Sequence, residues 1–200
     1  MNDHVLRVVE DLFENSELNL LPEEYGGGNI FSAPLIGVAS GDDDIFRQYK
    51  QIIAEEHLTP LEFWLKDGKE EVDPSKLRVL SIVFPFSDKI RRESKNTIQT
   101  KRMRLPAEIY CVARNYANAF KKEVCKRLIA HFEHEGHEAT AGLLSESFTI
   151  LTKGEFYSTW SERHAAFAAG LGTFSLHDGF ISERGCNIRL GSVITDAPLE

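Results

Sequence analysis

Apolar residues recur three and four apart in several stretches of the chain, and this spacing sets the expected helices. Val5, Leu6, Val8, Val9, Leu12 and Phe13 form one such stripe, predicting an N-terminal helix that Pro22 and Gly26-Gly27-Gly28 break off. A second helix is predicted from Asp42-Asp43-Asp44, whose carboxylates suit a helix N-terminus, with Ile45, Phe46, Tyr49, Ile52 and Ile53 turned inward. Thr59-Pro60-Leu61-Glu62 supplies an N-cap, a proline at the first helical position and a glutamate three residues on, so a short helix follows through Phe63, Trp64 and Leu65. The longest stripe opens at Pro106. It runs through Ile109, Val112, Ala113, Tyr116, Phe120, Val124, Leu128, Ile129 and Phe132 to Gly136. Ser161 caps an alanine-rich helix that stops at Gly170.

Three other runs predict strands. Leu77 to Phe86 is apolar enough to lie centrally in a sheet until Pro85 stops it. Ser147 to Leu151 and Ile188 to Thr195 are the other two. Helices and strands alternate, which predicts an α/β or α+β sandwich: a central mixed sheet flanked by helices. The chain of 200 residues, 42% hydrophobic, is sized for one domain with one sizeable core.

Charge refines this picture. The formal net charge of −8 argues against a generic nucleic-acid binder. Lys89 to Arg104 nevertheless holds seven basic residues and one acid, Glu93, so this stretch is +6 and the remainder of the chain is −14. It reads either as a solvated charged loop or as an edge that attracts a phosphate-bearing ligand or RNA. No apolar run approaches the ~20 residues of a spanning helix. The N-terminus enters a helical pattern without a basic start and an apolar signal region, so a cytoplasmic location and no membrane contact are expected.

The candidate chemistry is sparse. Cys111, Cys125 and Cys186 are isolated, without the close spacing of an iron–sulfur or structural zinc site. His131, His134 and His137 lie in HFEHEGHE, one residue short of the H-E-x-x-H spacing that puts two imidazoles on one helix face, so no metal site is expected. Neither a nucleophile with its base nor a G-x-S-x-G turn is present. His164 and His177 flank a glycine-rich turn, and the unperturbed range of either lies near neutrality. In that turn the alanines and Gly170-Leu171-Gly172 remove side chains where a helix end meets its neighbours. Close backbone approach follows, to another element or to a large flat ligand.

Ser161-Glu162-Arg163, the alanine helix, Gly170-Leu171-Gly172 and Gly191-Ser192-Val193-Ile194-Thr195-Asp196 together resemble the core signature of epoxyqueuosine reductases. The likeness is nearest to relatives in anaerobes and more distant to reductive dehalogenases. It spans roughly Ile30 to Leu199, after a helix and linker over residues 1–29. The resemblance implies a nitroreductase-like scaffold holding cobalamin base-off, followed by a ferredoxin-like module whose [4Fe–4S] clusters pass electrons to cobalt. On that basis Gly170, Leu171, Gly172, Thr173, Phe174, Ser175 and Leu176, with Gly191, Ser192, Val193 and Thr195, would line the corrinoid face. Arg163 would meet a carboxamide or phosphate.

The sequence departs from the family's pattern in two places. Queuosine reductases carry an aspartate proton donor just before the Glu-Arg pair. Here that position is Phe156, and Glu155 and Tyr157 adjoin it as candidates. Tyr157 reads equally as part of an aromatic cluster with Phe156 and Trp160. The chain also ends where the cluster cysteines would begin, so the expectation is a corrinoid-dependent oxidoreductase domain served by an electron donor elsewhere. A non-catalytic corrinoid or tetrapyrrole-binding module and a flavin-dependent nitroreductase-like enzyme stay open beside it.

Overall fold

The structure, a computed structural model, describes residues 3–152 and 156–200. It begins with α1 (Asp3–Asn15), β1 (Leu35–Ser40), α2 (Ile45–Ile52) and α3 (Pro60–Lys66), then β2 (Arg78–Pro85) and α4 (Asp88–Glu93). A small hairpin, β3 (Ile98–Gln99) and β4 (Arg104–Leu105), precedes the long α5 (Glu108–His134). After β5 (Ala139–Thr140) come the paired β6 (Ile150–Leu151) and β7 (Tyr157–Ser158), then α6 (Glu162–Ala168). A second hairpin, β8 (Gly172–Phe174) and β9 (Phe180–Ser182), leads into β10 (Ile188–Thr195).

The main sheet has the order β1-β2-β10-β5, and every pairing in it is antiparallel. The fold is therefore α+β, six helices about an antiparallel sheet among the described residues, and the expected mixed sheet is corrected. A parallel neighbour needs a crossover that returns the chain to the same end of the sheet. Here α2 and α3 instead bring the chain back running antiparallel along β1, and β10 enters from the β8–β9 hairpin opposite β2.

Side-chain alternation along the two central strands builds a layer on each side. Leu80, Ile82 and Phe84 of β2 pack with Val193 of β10 against α1 and α5, through Val9, Phe13, Phe120, Val124 and Leu128. Val79 of β2 and Ile194 of β10 belong to the opposite layer, with Phe46, Tyr49, Phe63, Trp64, Trp160 and Ala165. Each fully buried side chain of this kind contributes roughly 1.5–3 kcal/mol. With both faces covered, β2 is buried almost from end to end, as its unbroken apolar run predicts.

Local chemistry sets several boundaries. Thr59 Oγ1 accepts from Glu62 N (3.3 Å) while Glu62 Oε2 accepts from Thr59 N (2.8 Å), completing the expected capping box of α3. Gly136 (φ +85°) and Gly170 (φ +72°) follow the ends of α5 and α6 in the left-handed region. The expected strand from Ser147 shrinks to Ile150–Leu151. The Thr159 hydroxyl replaces the missing ladder, donating to Ser147 O (2.9 Å) and accepting from Thr149 N (2.9 Å). Ile52, expected to face inward, is 66% exposed at the end of α2. No helix among the described residues is long and apolar enough to cross a membrane.

Candidate functional site

α6 and the strands before it place the chemistry. Ser161, immediately before α6, leaves the helix uncapped and gives its hydroxyl to His164, Oγ lying 2.7 Å from Nδ1. The His164 ring sits between Tyr49 and Phe174, with ring centroids 4.7 and 4.6 Å away, and Tyr49 Oη donates to its carbonyl (2.9 Å). Burial, aided by the Arg163 guanidinium, pushes the His164 imidazole down to about 4. It is a neutral ring near pH 7. His57 lies behind it, 6.4 Å between centroids and stacked on Trp160. Burial first, and then the neighbouring His164 and Lys50, push His57 down to about 4 as well.

In front of His164 opens a cleft of about 300 Å³. Its polar side consists of Tyr157, Ser158, Ser161, Arg163, His164 and Asp178. Its apolar side consists of Ile52, Ile53, Phe148, Ile150 and Phe156. Phe156 is 79% exposed, and Ile150 and Ile52 are also largely in solvent, so the apolar side continues onto the surface. Arg163 donates through Nη1 to the carbonyl of Asp178, a residue in the left-handed conformation (φ 58°) in the β8–β9 turn. This bond fixes the hairpin against the start of α6. Phe174 of that hairpin meets Phe167 (5.6 Å), while Leu176, at its tip, is fully exposed.

A buried polar group lies behind the cleft. Glu162 reaches inward from the first turn of α6, and its Oε2 accepts from Ser192 Oγ of β10 (2.6 Å). Trp160 Nε1 donates to the same hydroxyl (3.0 Å). Glu162 Oε1 is buried without a hydrogen-bond partner among the described residues. Burial raises the Glu162 carboxyl above its usual range, against the opposing pull of Ser192 and Lys121. Lys121 of α5, itself buried, is pushed down to about 8 by desolvation, and burial pushes the Cys125 thiol up to about 12. Among the described residues only Ile194 and Thr195 of β10 pair with β5, so the ladder stops short of Ser192 and this group. Gly142 lines it so closely that a Cβ there would stand 3.0 Å from the Trp160 ring and 3.3 Å from Glu162 Oε1.

The sequence-derived residues divide among three places. Tyr157 and Arg163 meet at the cleft, with Phe174 bordering it through His164. Gly170, Leu171 and Gly172 line a different depression, of about 510 Å³, with Leu35 and Ile36 of β1. Thr173 is exposed on the hairpin, and Ser175 Oγ lies 2.9 Å from His177 Nδ1. Gly191, Ser192, Val193 and Thr195, expected beside Gly170–Leu176 on the corrinoid face, are buried within β10. A central strand with helices on both sides gives its side chains to the core: Ser192 to Trp160 and Glu162, and Thr195 Oγ1 to Glu138 O (2.7 Å). Glu155 lies outside the described residues.

Other groups stay apart from this site. Cys111 and Cys186 are exposed and Cys125 is buried, all three as free thiols. His131 Nε2 faces Glu135 at 3.7 Å, and no three metal-ligating side chains gather among the described residues.

Pattern reading missed His57, Asp178 and the Glu162–Lys121 group. One signal was available for the last: Lys121 follows Phe120 within the apolar stripe of α5, and Ser192 stands inside the apolar run from Leu190 to Ile194. No family model matches the chain, and no curated protein matches it at a significant level.

Proposed function

We propose that the chain is a corrinoid-binding domain of an epoxyqueuosine-reductase-like oxidoreductase, with the cofactor seated against the Tyr157–Arg163 cleft. One observation carries the reading: the segment bearing the resemblance forms a two-sided cleft, polar along Ser158, Ser161, Arg163 and Asp178 and apolar along Ile52, Ile150 and Phe156. A corrin ring has an apolar face and a rim of carboxamides, so it matches both sides. The exposed apolar surface around the cleft is of the kind that large flat ligands cover. A nitroreductase-like arrangement agrees with helices packed on both faces of the antiparallel sheet.

The residues present fit the group in their donor chemistry. Arg163, Ser158 and Ser161 would bond carboxamides or the nucleotide phosphate, and Phe156 and Ile150 would lie against the ring. Bound there, the corrinoid would supply the redox chemistry, while the protein binds and orients it. Tyr157, in the same cleft, has a phenol able to hold or give a proton. An electron donor, as a ferredoxin-like module or a separate protein, is part of this proposal.

The test is a titration of the purified chain with cob(II)alamin, followed by absorbance and by melting temperature, with FMN in a parallel arm. Loss of the lower ligand, a raised Tm and weakening by Arg163→Ala support the reading. A Tm raised by FMN alone, with cobalamin leaving spectrum and Tm unchanged, overturns it in favour of a flavin site.

A further inference from the structure

The basic stretch of the sequence plays no part in the cleft at Tyr157, yet the fold gathers three of its seven cations into a second concave site. A cleft of about 510 Å³ opens between α4, with the residues just after it, and the turn from β9 to β10. Arg91, Arg92 and Lys95 line one side and Arg184 the other, and Asp88 is the one acid among the lining residues. We propose that this cleft binds a small phosphorylated ligand, a di- or triphosphate ester or free pyrophosphate, whose phosphates are held by Arg91, Arg92, Lys95 and Arg184.

The charge balance is the first argument. Four cations share one concavity in a chain whose net charge is −8. Like charges gathered around one cleft repel at separations up to about a Debye length, roughly 8–10 Å, and an anion among them relieves this. The protein's own acids relieve little of this. Arg91 meets Asp88 at 3.5 Å and Arg184 meets Glu183 at 3.9 Å, both exposed pairs that water screens. The side chains of Arg92 and Lys95 have no ion pair or hydrogen bond among the described residues. A guanidinium presents a planar fork of donors that phosphate oxygens match two at a time, so three arginines and a lysine suit a polyphosphate better than a single carboxylate.

Geometry is the second argument. The two sides, far apart in sequence, are tied together by β2 and β10: Ile188 pairs with Pro85, and Phe86 N donates to Asn187 O (3.2 Å). Arg184 stands on an ordered turn, in which Ser182 and Gly185 exchange backbone bonds and Ser182 Oγ accepts from Arg184 N (3.1 Å). On the other side, buried Ile90 anchors α4. The backbone segments that carry the cations are thus fixed before a ligand arrives, which lowers the ordering cost of binding. Of the four remaining basic residues, Lys89 donates to the carbonyls of Gly26 and Gly27, and Lys101, Arg102 and Arg104 lie on and beside the β3–β4 hairpin and, like Lys89, do not line the cleft. A polymer tracking its backbone across the surface would use them, whereas a small ligand would not. This cleft shares no lining residue with the one at Tyr157, so the proposal stands independently of the cofactor reading.

The experiment uses the full chain at low ionic strength with EDTA. Inorganic pyrophosphate, ATP and a 20-nucleotide single-stranded RNA are titrated calorimetrically, with sulfate as the comparison anion. Pyrophosphate and ATP are expected to bind about tenfold or more tightly than sulfate. The double variant Arg92→Ser/Lys95→Ser should weaken both about tenfold or more, and Arg184→Gln should do so from the other side. These residues are exposed, so circular dichroism should match the parent. The hairpin triple variant Lys101→Ser/Arg102→Ser/Arg104→Ser should change affinity by less than about twofold. Pyrophosphate and ATP no tighter than sulfate would overturn the proposal. So would equal losses in the hairpin and cleft variants, or RNA binding that depends on the hairpin and exceeds that of ATP.

Discussion

His57 offers the sharpest test of the packing behind the cleft. It is 1% exposed, and neither ring nitrogen has a hydrogen-bond partner among the described residues. Trp160 stacks on it at 6.1 Å, while Tyr49 and His164 approach at 5.9 and 6.4 Å. A charge placed there would lose its water and face His164 and Lys50, with Glu62 opposing only in part, which is why the ring is held neutral down to about 4. In the unfolded chain the same imidazole charges near 6.5. Below pH 6.5 the unfolded state therefore takes up a proton that the native state refuses. Stability is full above that pH and falls as pH drops toward 4, by about 1.4 kcal/mol per pH unit and about 3 kcal/mol in all. His164, lowered in the same direction, adds to the slope, less strongly because it is partly exposed. His57→Phe removes the titrating group and leaves an aromatic ring in an aromatic slot. At pH 7.5 the variant should lie within about 1 kcal/mol of the parent, because an unsatisfied polar group is exchanged for an apolar one of similar shape. At pH 4.5 it should be the more stable by about 2–3 kcal/mol. Urea unfolding followed by the fluorescence of Trp64 and Trp160 measures both. Parallel loss of stability in parent and variant between the two pH values would refute the reasoning.

Gly172→Val should destabilise the protein by roughly 3 kcal/mol or more, because even a Cβ at this position would stand 2.2 Å from Ile181 O and 2.8 Å from the Phe180 ring. A Tm within about 2 °C of the parent would show that the β8–β9 hairpin separates freely. In the cobalamin-loaded chain with a chemical reductant and a test electrophile, Tyr157→Phe should cut turnover about 100-fold while cobalamin affinity stays unchanged. Equal turnover would remove the phenol from the chemistry.

The parts of the fold visible in the sequence are those where one residue type has one cheap solution. The apolar run of β2, the stripe of α5 and the Thr59–Glu62 cap each specify an element without help from distant residues. The β1 strand was not read because Leu35–Ser40 is short, contains Gly37 and lies at the sheet edge. Its glycine answers a tertiary demand: a Cβ there would stand 2.4 Å from Ala169 O. Ile52 misled because helical spacing predicts a face without saying whether core or cleft lies opposite, and α2 ends with that residue at the cleft mouth. Tyr157 and Arg163 enter as candidates only through a resemblance. His57, alone in sequence among polar neighbours, acquires its meaning only from Tyr49, Trp160 and His164, which the fold brings from other elements.

The three segments that carry the resemblance are also joined by contacts that need no ligand. Ser161 and Glu162 begin α6, and Glu162 reaches Ser192 in β10. The end of the same helix presses the carbonyl of Ala169 against Gly37, and Gly172 lets the next hairpin close. Small residues at Gly37 and Gly172 are thus accounted for by backbone approach, Gly191 by the side chains of Leu143, Phe84 and Cys125 packed around it, and Glu162 and Ser192 by a buried bond that fixes α6 across the sheet. Of the signature, Arg163 alone lines the Tyr157 cleft outright, while Ser161 is shared between that cleft and His164. A scaffold that must hold a helix end this close to an antiparallel sheet would need most of these residues with or without a cofactor. Affinity for cobalamin should therefore respond to Arg163 and to the apolar rim at Phe156 and Ile150. Changes at Ser192 or Gly191 should act through folding, because neither residue reaches the surface from which a ligand arrives.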